Sequence, residues 1–437
     1  MPDQVFRIPY SKSHLEFSLP ASVQADVLVS HPVEPIEDMQ EAIDQALAAP
    51  VGSLPLSQLA RPGDRACIAF TDITRSSPDH LLVPALLQEL ERAGVQDRYI
   101  TLLCATGMHR PSTKEEKITK LGAEIVHRYR VVDHEPLNPA ALVDLGVSSG
   151  GVPVSIHRAA VEADMLVATG IVEPHQYAGY SGGGKTVAIG AAGEALIAHT
   201  HGPLFIDHPG TRLGRIEGNP FHEVVSDVAR RVGLRFILNV VLDDNKRLLR
   251  VAAGDPQKAF QELVMFARSI YEVPISHSYD VVIGGVGFPK DTNLYQASRA
   301  PSYLFFAPAP VVRAGGFLII PARCEEGAGD GVGEQRFLTA MREAPDVQHI
   351  LDDAREHGYP PGQQRAFVMA KVIEQVHVIV VGSEYPDLVR ACKMIPADNM
   401  DIALQLAGVH AGKPSQALIV PHAMQTLPVI ETPAMSA

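Results

Sequence analysis

The chemistry in this chain concentrates between residues 173 and 202, which read EPHQYAGYSGGGKTVAIGAAGEALIAHTHG. Three histidines, His175, His199 and His201, bracket a glycine run, Gly182-Gly183-Gly184, that ends in Lys185. Residues 179–186 match G-x-x-x-x-G-K-[ST], the phosphate-loop pattern in which backbone N–H groups and a helix N-terminus cradle phosphate while the lysine adds charge. The surroundings depart from that pattern. Six residues separate the apolar run 165–172 from Gly179, and the best later strand, 281–286, ends in Gly287-Phe288 without an acid to hold magnesium. The glycines are therefore read as admitting something bulky close to the backbone and presenting Lys185 to it. A nucleotide-binding protein or hydrolase using residues 179–186, and a glycine loop that serves only tight packing, stay open as alternatives.

Other residues suit the same site. Arg75 beside Asp72, with a second cation at Arg299, suits a substrate carboxylate, because a planar guanidinium holds it through two hydrogen bonds. His109 and His175, arriving from different segments, suit a pair of acid–base groups, one for each face of a substrate. For His199 and His201 two readings are open: a zinc site completed by His175, or one ligand to a metal already bound to something else. The zinc-protease spacing H-E-x-x-H is absent. One or two histidines without a nearby carboxylate or thiolate are thin for zinc hydrolysis, whereas a metal carried by an organic cofactor needs fewer protein ligands.

These groups need a frame to hold them. Apolar runs at 66–70, 99–105, 152–157 and 165–172 alternate with helical spacing such as Leu82, Leu86, Leu87 and Leu90, which predicts a parallel sheet covered on both faces. A strand at 123–127 and a capping box from Ser112 to Glu115 belong to the same reading. In such sheets ligands collect beyond the carboxyl ends of the strands. Asp72 and Arg75, His109 and Arg110, and His175 and Lys185 all follow strand ends, so three clusters distant in sequence should meet on one edge. A hairpin at 236–252 turned at Asp243-Asp244-Asn245, a helix at 256–273 and a linker at 274–278 complete this unit. A second unit has strands at 281–286, 317–320 and 377–381, with a ligand-side loop from Gly287 to Arg299. The expectation is two α/β domains with mainly parallel sheets and the active site in the cleft between them: residues 1–273, which the segment 406–437 could rejoin, and residues 279–405.

Composition bounds the function. A chain of 437 residues is long for one core and, at 46% hydrophobic, has ample apolar material for two. A net charge of −13 argues against non-specific nucleic-acid binding, but leaves room for a local cationic pocket. Cys67, Cys104, Cys324 and Cys392 form no CxxC pair, the pattern of reduced cytosolic thiols. No leader pattern and no apolar run near the ~18 residues that span a bilayer is found, so a cytoplasmic protein without membrane contact is expected.

Taken jointly, Asp72-x-Thr74-Arg75, Gly107-x-His109-Arg110-Pro111, PHQYAGYSGGGK at 174–185, His199-Thr200-His201-Gly202 and NLYQA at 293–297 resemble the lactate racemase family, the nickel-pincer-dependent 2-hydroxyacid racemases and epimerases. The resemblance runs from about residue 65 to beyond 300. It implies an isomerase that inverts C2 of a small-molecule 2-hydroxyacid by reversible hydride transfer through a transient 2-oxoacid. It also implies a nickel-pincer nucleotide, pyridinium-3,5-bisthiocarboxylic acid mononucleotide carrying nickel, made by dedicated cofactor-biosynthesis enzymes. By position, Lys185 matches the covalent tether, His201 the nickel ligand, His109 and His175 the catalytic acid–base pair, and Arg75 a substrate carboxylate binder. Asp72, Tyr295 and Gln296 fall in the family's pocket motifs, and Gly182, Gly183 and Gly184 would let the backbone approach the nucleotide. The chain departs from the family at Arg299, where lactate racemases place a lysine. The larger planar fork hints at a substrate other than lactate: a longer hydroxyacid, a sugar acid or a dicarboxylate.

Overall fold

The computed structural model describes residues 4–148, 150–243, 245–308, 310–409 and 415–430. Asp244 of the expected hairpin turn, and residues 410–414 and 431–437 of the C-terminal segment, lie outside them. Two six-stranded sheets organise the described residues. The first has the order Leu248–Gly254, Leu234–Leu242, Met165–Ile171, Ala66–Thr71, Ile100–Ala105, Arg130–Asp133. Its pairings are parallel except for the hairpin between the first two. Ala66–Thr71 and Met165–Ile171 are buried at every position, so both read as unbroken apolar runs without alternation. The chain leaves Ala66–Thr71 in one direction and later returns on its other side with Met165–Ile171, which makes the gap between their carboxyl ends the topological switch point.

The second sheet is wholly parallel, in the order Ile395–Ala397, His377–Val381, Val312–Pro321, Tyr279–Gly284, Ser415–Val420, Val23–Val27. The strand Ser415–Val420, whose return to the first unit the sequence left open, pairs within this second sheet, and the N-terminal segment supplies its edge. The hairpin of Gln4–Tyr10 with Ser13–Leu19 covers that side, burying Ile8, Phe17 and Leu19 against Val281, Ile319 and Ile379. A larger apolar cluster runs continuously from Leu166 and Ala168 of the first sheet to Leu318 of the second and Phe367 above it, so the two halves share a core.

Three local expectations are corrected. Residues 123–127 form the helix Ala123–Arg128 and not a strand: Gly122, at φ +90°, stops the preceding helix and starts this one, and no residue of it is fully buried. The first two residues of the expected linker, Pro274 and Ile275, belong to the strand Glu272–Ile275, paired in parallel with Leu427–Ile430, and only 276–278 connect it to the next strand. The capping box lies one residue further on, between Thr113 and Glu116.

Candidate active site

Asp72 and Arg75 leave the end of Ala66–Thr71 in a tight turn. The Asp72 carboxylate accepts from the Thr74 N–H at 3.1 Å and hydroxyl at 2.6 Å, and from His109 Nδ1 at 2.6 Å. Burial pushes this carboxyl up, but the His109 and Thr74 hydrogen bonds and the Arg75 charge outweigh it and hold it below its ordinary value. A carboxylate only accepts, so a His109 proton sits on Nδ1, and in the neutral ring Nε2 presents the lone pair. The His109 side chain is half exposed, at the mouth of the site.

A buried ion pair, which the sequence did not point to, fixes this turn. Lys120 Nζ lies 2.7 Å from Asp79, with side chains 7% and 0% exposed, and donates to the carbonyls of Arg75 at 3.1 Å and Ser77 at 2.9 Å. Asp79 in turn accepts from Thr71, Ser77 and Thr169, so every polar group in the network is satisfied.

From Met165–Ile171 the chain enters a two-residue ladder, Pro174–His175 against Gly179–Tyr180. The Gly183 N–H is taken by Asn239 Oδ1 at 2.7 Å and the Lys185 N–H by the Gly182 carbonyl. The helix that follows, Lys185–Ala188, is four residues long. The phosphate-loop alternative thereby loses both amide donors and a proper helix dipole. A Cβ on Gly182 (φ +86°) would come within 2.7 Å of Val172, on Gly183 within 2.9 Å of Phe260, and on Gly184 within 2.5 Å of Ala229. Close packing of the protein on itself already requires these glycines.

His175 Nδ1 accepts the N–H groups of Tyr177 at 3.2 Å and Ala178 at 3.1 Å. The neutral ring therefore carries its proton on Nε2, the reverse of His109. Burial drives its pKa well below the ordinary value, aided by the charges of Lys185, Arg75, His201 and Arg299. Burial and the Arg75 charge bring Lys185 down to about 7, against the opposing pull of Glu173 and Asp72. A depressed amine of this kind has a neutral, nucleophilic form within reach of neutral pH. His201 closes the helix Glu194–Thr200 and donates Nδ1–H to the Ile197 carbonyl at 2.9 Å, which leaves Nε2 free as a ligand. Burial lowers its pKa to about 4, so the lone pair stays unprotonated. The rings of Tyr177 and Phe221 pack against both His201, at 5.3 Å and 5.1 Å, and His175, at 5.8 Å and 6.3 Å.

His199 packs edge-on against Phe205, 5.6 Å away. Among the described residues no three His, Cys, Asp or Glu side chains come together as a metal site, so the zinc alternative does not form. One bare imidazole with no companion ligand suits a metal whose other donors come from a bound organic group.

The second half closes the site. Tyr295 and Gln296 lie on the short helix Leu294–Ala297, which Asn293 caps. Tyr295 packs on Phe337 at 5.7 Å with the Arg365 guanidinium 5.9 Å from its ring. Arg299 follows on the next helix, and its charge acts on His175, Tyr177 and Tyr303. Arg365 donates to Ser302 Oγ at 2.8 Å and to Gln176 Oε1 at 3.4 Å, and Tyr359 donates to the His201 carbonyl at 2.8 Å. None of Arg365, Ser302, Gln176 and Tyr359 was singled out from the sequence. The signal available for Arg365 was an isolated charge heading the apolar run Ala366-Phe367-Val368-Met369-Ala370.

Comparison with known proteins identifies the family. The family models for the lactate racemase N-terminal domain and the lactate racemase C-terminal domain match residues 10–214 and 275–427. The chain is 32% identical over 420 residues to the lactate racemase of Lactiplantibacillus plantarum, covering 95% of this chain and 97% of that protein. Against the lactate racemase of Thermoanaerobacterium thermosaccharolyticum it is 32% identical over 424 residues, covering 96% and 98%. The solved apoprotein structure from the latter organism superposes with a TM-score of 0.86 at 30% identity, over 98% of this chain and all of that one. A Thermotoga maritima structure at 19% identity and a TM-score of 0.66, over 92% of this chain and all of that one, shares the fold. These matches over nearly the whole chain define a racemase, an isomerase working on a carbon stereocentre. The chain belongs to the lactate racemase family.

Proposed function

We propose that the protein inverts C2 of a 2-hydroxyacid with a nickel-pincer nucleotide tethered at Lys185 and bound through His201. The observation that carries the reading is the complementary hydrogen bonding of two histidines together with a depressed lysine: His109 held through Nδ1 by Asp72, His175 with Nε2–H, and a Lys185 amine lowered to about 7 whose charge acts on His175. Acylation suits Lys185 because it removes the charge that burial disfavours. When bound, the cofactor supplies an electrophilic carbon that takes up and returns the C2 hydride.

Arg75 neutralises the carboxylate next to C2 and orients that carbon, with Arg299 a second cation on the substrate side. His109 Nε2 accepts the hydroxyl proton, and the Asp72 carboxylate stabilises the imidazolium that results. In the reoriented pose His175 hydrogen-bonds to the oxoacid oxygen through Nε2–H, and it gives that proton up only as an imidazolium, with Nδ1 protonated from solvent while the half-exposed His109 releases its own proton there. To act as full acid or base, His175 has to free Nδ1 from the amides of Tyr177 and Ala178, so proton transfer through it is tied to movement of residues 176–178. Tyr295 and Gln296 line the cofactor side of the cleft, and the glycines at 182–184 contribute through packing. Enzymes that make the cofactor are required partners. The cytoplasm suits the four free cysteines, all of them buried. No helix among the described residues is long and apolar enough to cross a membrane.

The test is racemisation of single-enantiomer 2-hydroxyacids, followed by chiral chromatography, with protein produced alongside cofactor-making enzymes. Conversion that is lost in both His109→Ala and His175→Ala at undiminished cofactor content supports the reading. Full turnover in either variant removes that histidine from the mechanism.

A further inference from the structure

We infer that Arg365, with Arg299 and Gln176, forms an anion subsite beside the reaction centre that receives the second carboxylate of a 2-hydroxy diacid; this rests on the racemase reading above. Arg365 is 7% exposed and Gln176 4% exposed, yet Arg365 Nε, Arg299 Nε and Gln176 Nε2 all lack an acceptor. All three orphans are donors. A buried guanidinium without a counter-charge is held at a cost of several kcal/mol, and three unsatisfied N–H groups call for a partner rich in lone pairs and negative in charge.

The protein does not provide that charge. Among the described residues neither Arg299 nor Arg365 has a carboxylate within ion-pair distance: Arg365 meets only the Ser302 hydroxyl, the Gln176 carbonyl and the Tyr295 ring. Position ties the cluster to the chemistry. Gln176 directly follows His175, and both arginines act on the Tyr177 and Tyr303 hydroxyls. Arg75, beside His109, is enough for the carboxylate next to C2. Two further guanidiniums are then left for a second anion, and a sugar hydroxyl, which brings a donor as well as acceptors, would leave them unneutralised.

The test compares malate, lactate and gluconate as substrates of the cofactor-loaded enzyme. The wild type is expected to racemise malate with a kcat/KM about 30-fold or more above that for lactate, and to prefer malate to gluconate. In Arg365→Met the malate-to-lactate ratio falls at least about 10-fold, a loss of roughly 1.4 kcal/mol in discrimination. In Gln176→Glu, whose carboxylate pairs with Arg365 and keeps the cluster satisfied if Arg365→Met does not fold, the ratio falls likewise. A wild-type preference for lactate or gluconate, or an unchanged ratio in the variants, overturns the proposal. So does a folded Arg365→Met chain that no longer acquires the Lys185 adduct, since that assigns the subsite to the cofactor's phosphate. A wild-type chain that carries no adduct from a competent host and racemises nothing removes the racemase reading itself, and the subsite with it.

Discussion

Replacing Asp72 by Asn removes the charge behind the base and turns its tautomer. The side chain keeps its size, but with its one oxygen held by Thr74 the amide NH2 faces His109 Nδ1, which then has to accept and carry its proton on Nε2. A hydrogen bond to a charged partner contributes about 1.5–3 kcal/mol. Asp72 is nearly inaccessible while the His109 side chain is 50% exposed, and solvent on the imidazole side places the loss at the lower end, about 1.5–2 kcal/mol. At 1.36 kcal/mol per tenfold the lost charge alone is roughly a 10- to 30-fold fall in kcat/KM, and the reversed tautomer deepens it. Mirror-image acids have equal free energies, so the fall has to be the same from either enantiomer. The assay is initial-rate racemisation at matched cofactor occupancy, checked by intact mass. A variant with unaltered kcat/KM, or one that loses activity only through loss of cofactor, refutes the assignment of His109 as a base held by Asp72.

Three further outcomes follow from the same geometry. His175→Gln, whose amide N–H can replace the Nε2–H, should retain more activity than His175→Ala, whereas Gln at position 109 should be no better than Ala because it offers no basic nitrogen; matched initial rates check both. Lys185→Met should raise the denaturation midpoint at pH 7: an amine depressed to about 7 leaves the unfolded chain binding more protons between about 7 and about 10.4, so the native penalty is full below 7 and fades as pH rises through that window. The difference between variant and wild type should therefore shrink from pH 7 to pH 10. Lys120→Met strands the buried Asp79 carboxylate and should cost about 3–5 kcal/mol of stability by chemical denaturation, with Lys120→Met/Asp79→Leu recovering much of it.

The sequence made the candidate site legible where chemistry and strand ends coincide. Asp72, His109 and His175 each follow an apolar run, and the parallel order of those runs puts them on one edge. Tautomers could not be read this way: whether His109 or His175 presents a bare nitrogen depends on a carboxylate and on two amides, which only the folded turns bring into range. The glycine run carries two readings at once, since glycines packed against Val172, Phe260 and Ala229, the first two of them at positive φ, leave the same signature as a phosphate cradle. Lys120 and Asp79 looked like ordinary helix residues because a buried ion pair depends on contacts about forty positions apart. The pairing of Val23–Val27 with Ser415–Val420 joins the two ends of the chain, and local pattern carries no information about it.

The most direct measurement is intact-protein mass and nickel content of the chain purified from a host that makes the cofactor. One covalent adduct localised by peptide mapping to Lys185, with close to one nickel per chain that is lost in His201→Ala while the adduct stays, is the predicted result. Bare Lys185 in an active racemase, or nickel held undiminished without His201, contradicts the account.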